Sequence, residues 1–102
     1  MDLLPDDLRR RLPPLSRDEY IDYNPWVYIK YFHSVFNYTW FVTEGEQFDD
    51  VFMFFGYFIA SDEEWGNFTL DELLARQVER DLYFEPGFFK DVLETFTKER
   101  GR

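Results

Sequence analysis

Val51–Ala60 is the longest apolar run in the chain, and acidic stretches flank it on both sides. The run is too short to cross a bilayer. Its Phe, Val, Ile and Tyr content suits a pleated, buried strand. Tyr38–Glu44 is similarly rich in aromatic and β-branched residues and reads as a neighbouring strand, while Trp65–Phe68 reads as a short return strand. Buried strands joined by short polar segments leave an antiparallel sheet as the economical solution. Gly56, inside the central run, marks a bulge or a close backbone approach.

The remaining segments build around that sheet. Trp26–Phe32 reads as a strand, with Trp26, Tyr28, Lys30 and Phe32 on one face and Val27, Ile29 and Tyr31 on the other. Asn37 falls in the turn that follows. Glu44–Asp50 reads as a polar, acidic loop and Ser61–Glu64 as a second acidic turn. Pro5 opens a short helix that acids begin, bases end and Pro13-Pro14 stops. Leu15–Asn24 is read as irregular. Thr69-Leu70-Asp71-Glu72 is a capping box for a helix reaching about Arg76. Val78–Phe84 reads as a last strand. A helix from Pro86 carries Phe88, Phe89, Val92, Leu93 and Phe96 on one face.

The expected fold is therefore α+β: a small, mostly antiparallel β-sheet of roughly four to five strands with flanking helices at both ends. A length of 102 residues suits a single domain. Residues 1–24 form its N-terminal helix and lead-in, and 25–84 the sheet with an inserted helix. Residues 85–98 form its C-terminal helix and 99–102 a frayed tail.

Aromatic residues make up 23% of the chain, which commits it to a folded core and leaves rings to spare for a surface. There is no cysteine, so disulfides and thiolate metal sites are excluded. The N-terminus is acidic and lacks the pattern of a secretory signal, so the expectation is a cytoplasmic protein with no membrane contact.

The net charge is −10, from 21 acids against 11 bases. Such a chain repels a phosphate backbone, so no direct nucleic-acid contact is expected and a basic protein surface is the natural partner. No Lys or Arg lies between Lys30 and Arg76. That stretch holds the candidate partner-binding acids Glu44, Glu46, Asp49, Asp50, Asp62, Glu63 and Glu64, with Asp71 and Glu72 beyond them. If the strands run as read, the two acidic turns lie about 30 Å apart along Val51–Ala60, a span over which carboxylates could imitate duplex phosphates. The competing reading is ordinary solvated turns.

Other chemistries have weaker support. The acids of Glu44–Asp50 match no EF-hand spacing, and a lone histidine without cysteine does not make a zinc site, so no metal or cofactor is expected. His33 reads as a strand-end residue with a hydrogen-bond partner. Ser16, Ser34 and Ser61 sit in no nucleophile elbow, and no glycine-rich phosphate loop is present. The chain is read as a non-enzyme. Trp26, Tyr28, Tyr38, Trp40, Tyr57 and Trp65 form a candidate aromatic pocket for a nucleotide, against a plainer role in sheet packing. The C-terminal helix covers the sheet by default and is the candidate homodimer surface.

Four segments in order, Leu12-Pro13-Pro14-Leu15, Tyr38-Thr39-Trp40-Phe41-Val42-Thr43-Glu44-Gly45, Phe54-Phe55-Gly56-Tyr57 and Glu79-Arg80-Asp81-Leu82-Tyr83-Phe84, resemble a bacterial and phage domain-of-unknown-function family, number 2958. The likeness runs from about Leu3 to Pro86; the segment before Glu79 is shorter than the family pattern. The resemblance supplies no catalytic residues. It implies a setting on plasmids and other mobile elements, where countering host defence is a frequent task. Joined to the charge, it suggests an inhibitor of a nucleic-acid-binding defence protein of CRISPR or restriction type. The alternatives are a domain sequestering a nucleotide signal and a structural partner of another mobile-element protein.

Overall fold

The computed structural model of the chain describes residues 1–16 and 24–100. Strands β1 (Trp26–Val27), β2 (Ile29–His33), β3 (Tyr38–Phe48), β4 (Val51–Ile59) and β5 (Glu63–Thr69) follow one another, and β6 (Glu79–Arg80) and β7 (Gly87–Phe88) come later. Strands β2 to β5 form an antiparallel meander, and β6 adds to the far edge of β2, giving the order β5-β4-β3-β2-β6. The pair β1 and β7 makes a separate two-stranded ribbon. Helices α1 (Asp6–Arg11), α2 (Leu70–Ala75) and α3 (Phe89–Arg100) complete an α+β fold. The arrangement is the one expected, with helices towards both ends and one inserted.

Both faces of the sheet are covered, because both sets of alternating side chains are apolar. On the first face Ile29, Tyr31, Trp40, Val42, Phe54 and Phe68 pack with Leu3, Leu4 and Leu12 from the N-terminal segment and Leu73 from α2. On the second face Val27, Phe41 and Ile59 pack with Phe89, Val92, Leu93 and Phe96 of α3. Fully burying a side chain such as Phe54 or Phe41 stabilises the fold by about 1.5–3 kcal/mol. The apolar stripe of α3 is thereby engaged within its own chain.

Local chemistry sets the element ends. The Thr69 hydroxyl accepts from the Glu72 amide at 3.1 Å, so the expected capping box starts α2. Asn37 and Asp49 take positive φ values of 56° and 53°, which suits the tight turns before β3 and between β3 and β4. Gly56 lies opposite Val42, beside a register shift in β3 between Val42 and Glu44. A side chain there would land on the Phe41 carbonyl, so the close approach is real and the bulge belongs to the partner strand.

Five expectations need correction. The strand expected over Trp26–Phe32 divides at Tyr28, whose amide donates to the Val42 carbonyl at 2.9 Å. Val27 joins the second-face core, whereas Ile29 and Tyr31 join the first. The acidic loop expected over Glu44–Asp50 is strand through Phe48, and the hairpin turn is only Asp49 and Asp50. The turn expected over Ser61–Glu64 gives way to strand at Glu63. In the expected last strand Val78–Phe84, only Glu79 and Arg80 pair with β2. The last helix starts at Phe89, not Pro86, because Phe88 is held in β7 opposite Trp26; it also continues to Arg100 rather than Lys98. The irregular segment expected over Leu15–Asn24 falls largely on residues 17–23, outside the described residues, as does the end of the tail at 101–102.

Candidate functional site

The acids read from the sequence fall into three groups. Glu44 and Glu46 share the second face of β3, opposite Phe55 and Met53. Each accepts a backbone amide of the N-terminal segment: Ser16 N–H donates to Glu44 Oε1 and Leu15 N–H to Glu46 Oε1, both at 3.0 Å. The Gly45 amide donates to the Pro13 carbonyl at 3.0 Å. These two carboxylates therefore clasp the chain after α1, and each satisfies a main-chain donor.

Asp49 and Asp50 form the exposed tip of the β3–β4 hairpin. A base reaches this end from elsewhere in the sequence. Arg9 of α1 donates from Nη1 to Gln47 Oε1 at 3.1 Å, and its guanidinium lies 5.0 Å from the Phe52 ring centroid. The long stretch without bases is thus interrupted in space.

The opposite end of β4 differs. Asp62, Glu63 and Glu64 are all exposed. The ion pairs among the described residues are Lys30–Asp81 at 3.3 Å and Lys98–Glu94 at 2.9 Å, so these three consecutive acids have no paired cation. The register sends them to both faces: Glu63 lies opposite Ile59 on the second face, Glu64 opposite Phe58 on the first. Burial raises the Tyr57 phenol above its ordinary value, and the neighbouring Glu63 charge adds to the shift.

The six candidate aromatics do not line a common cavity. Tyr28, Tyr38 and Trp40 belong to the first-face core. Tyr57 and Trp65 pack on the second face against Phe89, at centroid distances of 4.9 Å and 4.7 Å. Trp26 sits on the two-stranded ribbon, edge-on to Phe88 at 5.0 Å. Sheet register separates them, because neighbours along a strand point to opposite faces.

The structure does unite parts of the two sets. Glu64 is cross-strand to Phe58, whose ring stacks on Trp40 at 5.0 Å and meets Tyr38 at 5.7 Å. A cavity of about 150 Å³ beside α2 shares Trp40, Phe58 and Glu64 with Glu72 and Arg76. His33 ends β2, and its Nδ1 accepts the amides of Val35 at 3.1 Å and Phe36 at 3.3 Å. Phe36 is absent from the aromatic residues expected at a site, although the apolar pair Val35-Phe36 inside a turn is a visible signal.

Among the described residues no three Asp, Glu or His side chains are grouped to hold a metal ion. No helix among them is long and apolar enough to cross a membrane. No family model, curated protein or solved structure matches the chain.

Proposed function

We propose that this chain is a binding domain that presents carboxylates to a basic surface on another protein. The observation that carries the reading is the Asp62-Glu63-Glu64 end of β4, where three exposed acids form no ion pair among the described residues in a molecule of net charge −10. Concentrated like charge lowers the stability of the compact state, and a cationic partner relieves that cost. Surfaces that hold nucleic acid are dense arrays of Lys and Arg. With the resemblance to a mobile-element family, this favours a nucleic-acid-binding host defence protein, of nuclease type, as the target.

Glu44 and Glu46 are occupied by the amides of Ser16 and Leu15, so their removal loosens the chain instead of testing an interface. Asp62, Glu63 and Glu64 are the informative set, with Asp49 and Asp50 as the second.

The immobilised protein is exposed to bacterial lysate, and the retained protein is released by a salt gradient, identified and purified. Its affinity for wild type is then compared with that for Asp62→Asn/Glu63→Gln/Glu64→Gln. The expected result is at least about tenfold weaker binding and a shallower salt dependence. Unchanged affinity in the triple variant defeats the reading, as does retention insensitive to salt.

A further inference from the structure

The first face carries a row of rings that runs out to solvent at the β2–β3 turn. Phe36, at the outer end, is 62% exposed and its neighbour Val35 73% exposed. Phe36 is nevertheless fixed: its ring stacks on Tyr38 at 5.8 Å with an interplanar angle of 25°, and lies 5.0 Å from His33. The His33 side chain accepts the amides of Val35 and Phe36, which pins the turn from beneath. Inward, Tyr38 meets Phe58, and Glu64 stands cross-strand from Phe58 on the same face.

Register brings this turn close to the acidic one. Thr39 pairs with Ile59, so the β2–β3 and β4–β5 turns leave the same end of the sheet. Their centres are two strand spacings apart, about 10 Å. A row of rings, exposed at Phe36 and half-buried at Tyr38 and Phe58, therefore adjoins Asp62 and Glu64.

We propose that this row, Phe36–Tyr38–Phe58 with Glu64 at its end, docks neighbouring arginine side chains of a basic protein partner. Three chemical requirements converge here. A guanidinium stacks on aromatic faces while its planar fork engages a carboxylate, and an ammonium does neither as well. Glu64 has no ion pair among the described residues. The rings are held before binding, so little rotamer entropy is lost on contact. Arg76 lines the cavity that Glu64 and Phe58 also border, so a resident base lies at the inner end of the strip. The inference rests on the carboxylate reading and adds to it a place and a preferred side chain.

Nona-arginine and nona-lysine peptides carry the same charge and differ in planarity, so they separate stacking from simple attraction. Each is titrated into the isotopically labelled protein at about 0.15 M salt, with amide and aromatic shifts recorded. Nona-arginine is expected to bind about threefold to fivefold more tightly, with the largest shifts at Phe36, Tyr38, Phe58 and Glu64. Phe36→Ala and Glu64→Gln, both at exposed positions, are each expected to abolish that preference, and Asp49→Asn/Asp50→Asn to retain it. Equal affinity for the two peptides, or shifts centred on Asp49 and Asp50, overturns the arginine strip and leaves the carboxylate reading standing. Failure of both peptides to bind overturns both.

Discussion

Tyr31 shows how one side chain ties the N-terminal segment to the sheet. Its ring is fully buried in the first-face core, and its hydroxyl donates to the Leu3 carbonyl at 2.6 Å. Burial, the dominant cause, pushes the phenol well above its ordinary value of about 10; Arg80 opposes the shift and Asp2 adds to it. The sign of the pH effect follows. Below about pH 10 the phenol is neutral in both folded and unfolded chains, and the fold has full benefit of the buried group. Above it, the unfolded chain ionises first, so stability falls by up to about 1.4 kcal/mol per pH unit from this residue. Tyr31→Phe is expected to cost about 1–2 kcal/mol at neutral pH, because the Leu3 carbonyl loses its donor. The same variant should flatten the alkaline slope in urea melts collected between about pH 9 and 11; an unaltered slope would place the alkaline sensitivity elsewhere. Glutamates in this chain divide in a comparable way. Glu44 and Glu46 are engaged by main-chain amides, whereas Glu63 and Glu64 are exposed and form no ion pair among the described residues, a difference of surroundings and not of residue type.

Among the elements, the most legible in the sequence were those set by local chemistry. Thr69 and Glu72 announce α2, Asn37 announces the turn before β3, and uninterrupted apolar character announces β4. Segments whose state depends on distant partners were not legible. Glu44–Phe48 has the composition of a loop, yet it continues β3 because β4 pairs along it and the Leu15 and Ser16 amides occupy its carboxylates. Phe88 has the periodicity of α3, yet Trp26 draws it into a ribbon. The candidate site was legible in the same measure. Acids at both ends of β4 could be read from the turns, but their division between faces depends on a register that no local pattern encodes. Gly56 provides a test of packing at this scale. Gly56→Ala pushes a methyl group onto the Phe41 carbonyl of the neighbouring strand and should cost more than about 3 kcal/mol or prevent folding. Its cross-strand neighbour Gly66 has open space where a Cβ would go, so Gly66→Ala should stay within about 1 kcal/mol of wild type. Equal melting midpoints for the two variants would contradict the close approach.

For the molecule as a whole, a net charge of −10 makes folding work against its own field. Raising the salt concentration from about 0.05 M to 0.5 M shortens the Debye length and should raise the Tm in a calorimetric scan; a falling Tm would mean that attractive pairs outweigh the repulsion. The two-stranded ribbon has a separate consequence, for the order of assembly. Trp26 and Val27 wait for Phe88 and Gly87, across most of the chain, and the Phe89 amide then closes on the Pro25 carbonyl at 2.8 Å. Such distant pairing is slow to form and cannot begin until those late residues exist. During synthesis the meander can zip up strand by strand as it emerges, but its second face stays bare until α3 leaves the ribosome. Until then Val27, Phe41 and Ile59 offer an uncovered apolar surface to whatever chaperone attends the exit tunnel.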